Sequence, residues 1–158
     1  MKRAFFMILL GGLALPMWGQ YHVSEVHTWD RFPPEAQEPG FSVHASQLVQ
    51  MDDDPALEEV FLFSRDKGHY PYFDIFRVYY LIVDYYTKEV EYKSDVVLTT
   101  ERDLKLEDRN QDGKYELYRK YFHDENFSVD EEGNHLQVTW AYDRIEYRGK
   151  EVKVTNHK

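Results

Sequence analysis

Tyr70-Pro71-Tyr72-Phe73-Asp74-Ile75-Phe76-Arg77-Val78-Tyr79-Tyr80-Leu81-Ile82-Val83-Asp84-Tyr85-Tyr86 is the most apolar stretch of the chain after its amino-terminal segment. Read with period two, one set is Phe73, Ile75, Arg77, Tyr79, Leu81, Val83 and Tyr85. The other is Phe76, Val78, Tyr80, Ile82 and Tyr86, with Asp74 and Asp84 at its ends. Both sets are largely apolar, and their members are aromatic or β-branched. That combination predicts a strand covered on both faces, because such side chains pack well on a pleated surface and are seldom this dense in helices.

The pattern continues on either side. Val60-Phe61-Leu62-Phe63 is a short apolar run that ends at the polar turn Ser64 to Gly68, and Val43 and Ala45 mark a strand before it. Downstream, Val90 and Tyr92 alternate with Glu91 and Lys93, the signature of a strand with one wet face. Leu104 and Leu106, then Tyr115 to Phe122, then Leu136 to Trp140, and finally Ile145 and Tyr147 repeat that alternation. About seven or eight short strands and no helix predict an all-β domain of compact antiparallel sheets, sandwich-like or a partial propeller.

The first residues have a different character. Lys2 and Arg3 precede an apolar run from Ala4 to Met17, and polar composition begins after Gly19. A basic start, an apolar core and a small residue before a polar break form the pattern that signal peptidase removes. The apolar run is shorter than the roughly 20 residues of a spanning helix. The expected organisation is a signal peptide over 1–19 and an extended lead-in over 20–40, rich in proline turns. A single β domain then covers 41–148, and a polar tail frays over 149–158. The product is expected in the periplasm or secreted, with no membrane span left after cleavage.

The full chain carries a net charge of −10, and losing Lys2 and Arg3 takes it to −12. Phosphate recognition needs a basic surface, so nucleic acid is not an expected partner. The chain has no cysteine, so its core has to hold without disulfides.

One loop has spacing that carries chemistry. Asp108-Arg109-Asn110-Gln111-Asp112-Gly113-Lys114-Tyr115-Glu116 places oxygen side chains at positions 1, 3, 5 and 9, with glycine at position 6. Calcium takes six to eight oxygens, and a tight loop that turns every second side chain inward can supply them. Lys114 would add its backbone carbonyl. Position 12, a bidentate glutamate in the helix–loop–helix calcium hand, is Arg119 here, and both flanks alternate as strands do. The same residues also make an ordinary polar turn, since Asp, Asn and Gly favour turns in their own right.

A strand, an Asp-x-Asn-x-Asp-Gly-x-x-Glu loop and a second strand resemble the calcium loops of FG-GAP and VCBS-type β-propeller repeats. That resemblance implies a structural calcium ion with Asp108, Asn110, Asp112 and Glu116 as its ligands. It also implies an extracellular or cell-surface setting. It covers about a tenth of the chain, and the phenylalanine-glycine and glycine-alanine-proline signatures of the family are not present. A degenerate echo starts at Asp52, where Asp52-Asp53-Asp54-Pro55-Ala56-Leu57-Glu58-Glu59 precedes an apolar strand. Ala56 and Leu57 stand where Asp112 and Gly113 would be, so this loop is not expected to bind metal. The echo suggests two strand–loop–strand repeats, around 48–98 and 104–148.

The remaining features are weaker. His22 and His27 lack the three-ligand geometry of a catalytic zinc site. No nucleophile elbow or phosphate loop stands out, so no catalytic residue is expected. Tyrosines concentrate between Tyr70 and Tyr92, and Tyr79, Tyr85 and Tyr92 are the candidates for an aromatic face that binds sugar or peptide. Their alternation on both faces favours core packing over such a platform. The resulting expectation is an exported, non-enzymatic β-domain with a structural calcium loop, acting in binding or support with an unidentified protein or glycan partner. A carbohydrate- or peptide-binding module, and a small envelope enzyme or inhibitor, are the alternatives.

Overall fold

The computed structural model describes residues 32–149 and 151–157. The expected signal peptide and the first part of the lead-in lie outside these residues. The described part is all-β, with antiparallel sheets, none of them closed. Among the described residues no helix is long and apolar enough to cross a membrane.

The first sheet is a meander of β1 (Ser42–Val49), β2 (Glu58–His69), β3 (Asp74–Asp84) and β4 (Val90–Lys93). The short β5 (Val97–Thr99) pairs with β3 on the stretch that β4 leaves open, from Phe76 to Val78. Ser94 spans the gap between β4 and β5. Its amide donates to the Tyr80 carbonyl at 3.0 Å, and its hydroxyl accepts the Tyr80 amide at 2.9 Å. The second sheet is also a meander, of β6 (Lys105–Glu107), β7 (Glu116–Phe122), β10 (Trp140–Arg148) and β11 (Glu151–His157). Between β7 and β10 a small hairpin is inserted, β8 (Ser128–Val129) with β9 (Leu136–Gln137), its turn closed by Gly133 at a left-handed φ of +74°. The described residues thus hold eleven strands where the alternation predicts seven or eight. The surplus comes from β5 and β8, too short to show a period, and from β11, which lies in the polar tail.

β3 explains the layering. Phe76, Val78, Tyr80 and Ile82 join Val60 and Leu62 of β2 in a core shared with Leu117, Ile145 and Tyr147 of the second sheet. The opposite parity, Tyr79, Leu81 and Val83, packs with Phe61 and Phe63 against Phe32, Ala36 and Phe41. The chain before β1 therefore covers the outer face of the first sheet, through a one-turn 3-10 helix at Pro34–Ala36. From residue 32 on, the expected extended lead-in is thus packed on that face. Phe32 sits edge-on to Phe61 with ring centroids 4.9 Å apart, and Phe63 stacks on Tyr79 at 4.7 Å.

The expected fraying of the tail is corrected. Residues 151–157 pair with β10 from Tyr142 to Arg148 in unbroken register. Their polarity suits an edge strand, which keeps charge on its outer side.

The two sheets also enclose an ion pair. Arg119 of β7 and Asp143 of β10 are directly opposed, and the guanidinium donates Nη2 to Asp143 Oδ2. The Tyr121 hydroxyl donates to Asp143 Oδ1 at 3.0 Å. Both charged side chains are buried, and Nε and Nη1 of Arg119 have no hydrogen-bond partner. Removing one member strands the other's charge in the core. Asp143→Ala should therefore cost about 3 to 5 kcal/mol in urea unfolding, and the double replacement Arg119→Met with Asp143→Leu should recover most of it. A loss below about 1 kcal/mol for Asp143→Ala would show that water reaches the pair.

Candidate functional site

Both acidic loops join adjacent antiparallel strands, one between β1 and β2 and the other between β6 and β7. The two loops meet. The Tyr115 amide donates to the Gln50 carbonyl at 2.8 Å, and Lys114 Nζ pairs with Asp53 at 2.5 Å. Between them lies a cleft of about 540 Å³. Met51 to Asp54 line one part of it, Asn110, Asp112 and Glu116 another, and β10 contributes Arg144, Glu146 and Arg148.

The 108–116 loop folds around its own amides. Asp108 accepts the Asp112 amide on Oδ1 at 3.1 Å and the Gly113 amide on Oδ2 at 2.9 Å. Asn110 Oδ1 accepts the Asp112 amide at 3.2 Å, and Asp112 Oδ1 accepts the Lys114 amide at 2.9 Å. Gln111 and Gly113 take left-handed φ values of +61° and +87°. Gly113 is the residue that such a backbone favours. The Lys114 amide above all, with the Asn110 side-chain amide, holds the Asp112 carboxyl below the usual carboxylate range. The spacing read from the sequence thus brings Asp108, Asn110 and Asp112 together around one turn, whereas the Lys114 side chain reaches across to Asp53.

Glu116 starts β7 and is only 7% exposed, yet its Oε2 has no hydrogen-bond partner. A buried carboxylate oxygen without a donor costs the desolvation of that group. It is the one member of the predicted ligand set in this condition.

The denser cluster lies on the other loop. Asp52, Asp54 and Glu58 each present a carboxylate oxygen within 4.8 Å of the other two. They are the only three acidic or histidine side chains so grouped among the described residues. Each also accepts a backbone amide: Asp52 Oδ1 accepts the Asp54 amide at 2.9 Å, Asp54 Oδ1 the Ala56 amide at 2.6 Å, and Glu58 Oε2 the Met51 amide at 2.7 Å. No lysine, arginine or histidine among the described residues forms an ion pair with any of the three. Beside them Glu91, on β4, accepts the Tyr147 hydroxyl, and its Oε2 is buried without a partner.

Crowding of like charge has a measurable sign. Burial first, then the charges of Asp52 and Glu91, push the Glu58 carboxyl up to about 7, against the lowering effect of the Met51 amide. Burial likewise raises Glu91. The sequence places Glu58 only in the degenerate echo loop, which is not expected to bind metal. Its position two residues before the apolar run Val60 to Phe63 is the signal that it would enter the interior.

The tyrosine candidates separate by burial. Tyr79 is 0% exposed, stacked on Phe63 and edge-on to Phe41, so it belongs to the core and offers no ligand face. Tyr92 is half-buried against the inter-sheet core. Tyr85 is exposed at the turn after β3, but Tyr86 beside it lies at 79° to its ring, and Lys88 Nζ caps it at 3.9 Å. The three do not form one platform.

Glu58 gives a pH signature. A folded-state value near 7 against an unfolded value near 4.5 means that the native state holds its proton longer, so stability falls as pH rises between those limits. The loss should be on the order of 2 to 3 kcal/mol. In chelator, Glu58→Gln should match the wild type near pH 4 and exceed it by that amount at pH 8 in urea unfolding. Parallel pH profiles for the two proteins would remove Glu58 from the charge cluster. No protein-family model matches the chain, nor does any curated protein or solved structure, so what the molecule does has to be read from these side chains.

Proposed function

We propose that this protein is an exported, non-enzymatic β-domain that acts in binding or structural support at the cell envelope or outside the cell. Its 108–116 loop is stabilised by a structural calcium ion. The observation that carries this reading is the inward turn of Asp108, Asn110 and Asp112 around the amides of residues 112 to 114, with Gly113 at positive φ. Oxygen donors so arranged, with Glu116 behind them, match what calcium requires of a short loop. Export rests on Lys2, Arg3, the apolar run to Met17 and the small residue Gly19. The unequal charge balance suits a partner that is neither nucleic acid nor anionic lipid.

One observation favours a second reading, a small hydrolytic enzyme. Glu58, with its carboxyl near 7, sits beside Asp52, as a general acid sits beside a carboxylate base. Against it, Glu58 is 2% exposed and holds the Met51 amide, which leaves a substrate little access. A structural role for the cluster therefore fits better.

Thermal unfolding in excess chelator and then in millimolar calcium tests the first reading. An ion that binds only the native state should add about 2.7 kcal/mol at one hundred times its dissociation constant, seen as a rise in melting temperature. Asp112→Ala should shrink that rise. An unchanged melting temperature in the wild type would leave residues 108–116 as a polar turn.

A further inference from the structure

Among the described residues the two larger sheets have four edges, and these are not alike. β1 carries a register shift between Val43 and Ala45, the edge made by β4 and β5 is broken around Ser94, and β6 has three residues. A bulge, a break or a short strand keeps an edge from pairing with another chain. β11 has none of these. It runs seven residues, Glu151–His157, against β10 in unbroken register and without proline, and β10 is its only neighbour in the sheet.

The register of β11 gives each of its sides a character. Arg148 and Glu151 close the β10–β11 turn over two residues, so they form a hydrogen-bonded pair, and the next residue, Val152, turns its backbone groups away from β10. By alternation Val154 and Asn156 do the same. Of the side chains, Val152 packs on the inter-sheet core, and Val154, 43% exposed, continues that row beyond the core's rim. On the opposite face Glu151 and Lys153 are exposed, Glu151 across from Arg148 and Lys153 across from Glu146.

We propose that β11 is a self-association edge: two copies of this chain pair their β11 strands antiparallel about a two-fold axis at Val152, joining two four-stranded sheets into one. In this register Val152 meets Val152 of the other copy, and Glu151 meets Lys153 of the other copy, twice over by symmetry. Each row of charge across the seam then reads Arg148, Glu151, Lys153, Glu146, so both seam residues lie between charges of opposite sign. An axis at Lys153 would set the two lysines against each other, and an axis at Val154 would set Lys153 against Thr155. On the inner face Val154 lies diagonal to Val152 of the other copy, which carries the apolar row across the seam. The chain as a whole repels its own copies with a net charge of −10, but Glu151 and Lys153 cancel, so this edge is where two copies can approach. The reciprocal match of Glu151 with Lys153 points to a second copy and not to an unrelated strand.

Sedimentation velocity of the purified chain over a concentration series tests the pairing. A strand seam buries less than a standard interface, so the wild type should pass from monomer to dimer in the micromolar range or above. Lys153→Glu sets acid against acid at both ends of the seam, and Glu151→Lys sets base against base. Each variant alone should dimerise about tenfold more weakly than the wild type, or worse. Mixed in equal amounts the two variants place Glu against Lys at both positions, and the mixed dimer should return to within about threefold of the wild type. Both side chains are exposed, so each variant should keep the wild-type melting temperature. A wild type that stays monomeric to millimolar concentration overturns the proposal. So does a dimer that neither variant weakens, or a mixture that associates no more tightly than either variant alone.

Discussion

Burial of β3 on both faces is the constraint from which the rest of the molecule follows. A chain with no cysteine and a net charge of −10 has to take its cohesion from apolar area. Its most apolar segment presents Phe76, Val78, Tyr80 and Ile82 to one side and Tyr79, Leu81 and Val83 to the other. A single flanking layer would leave one of these rows in water. The second sheet covers the first row, and Phe32, Ala36 and Phe41 cover the second. Because both sheets are meanders with a loop between their first two strands, packing them on β3 also brings the two acidic loops to one cleft.

The acidic residues then divide by how their charge is answered. Arg119 and Asp143 answer each other across neighbouring strands, with Tyr121 completing the carboxylate. Glu101 is answered by Lys105 and Lys120, which together hold its carboxyl low despite partial burial. Asp84 is answered by the amides of Tyr86 and Thr87 at a tight turn. Glu58 has the Met51 amide and Glu91 the Tyr147 hydroxyl but neither has a cation, and burial moves both carboxyls upward. Where a cation or amides answer the charge the carboxyl moves down, and where burial and neighbouring acids go unanswered it moves up.

Period two made most of this fold legible from the residues. The double-faced strand, the all-β class, the hairpin around Asp108 and the absence of helices beside it all follow from alternation. What alternation could not show depends on contacts between distant segments. Phe32 looks like part of a proline-rich linker until Phe61 and Phe63 are placed beneath it. Residues 151–157 are polar and become a strand only because β10 offers them a complete row of backbone partners. Tyr79 and Tyr85 differ by six residues, so parity alone puts them on the same face. What separates them is that Asp84 ends the strand between them. Asp52, Asp54 and Glu58 were hidden for a different reason. Comparison with the spacing of the 108–116 loop directs attention to Ala56 and Leu57, the positions that lost their function, and away from Glu58.

The two loops answer their own charge in different ways. In the loop with regular spacing, amides of the same turn occupy both oxygens of Asp108, and the Asn110 amide and the Lys114 amide take up Asp112. Those bonds hold Asp108, Asn110 and Asp112 around the turn. In the degenerate loop, carboxylate oxygens of Asp52, Asp54 and Glu58 lie within 4.8 Å of one another, with no cationic side chain among the described residues paired to them. The crowding there is answered by a proton instead: burial first, then Asp52 and Glu91, push the Glu58 carboxyl up to about 7. By linkage that proton lowers the stability of the native state as pH rises toward neutrality, which the amide-bonded turn, its Asp112 carboxyl held low, does not do.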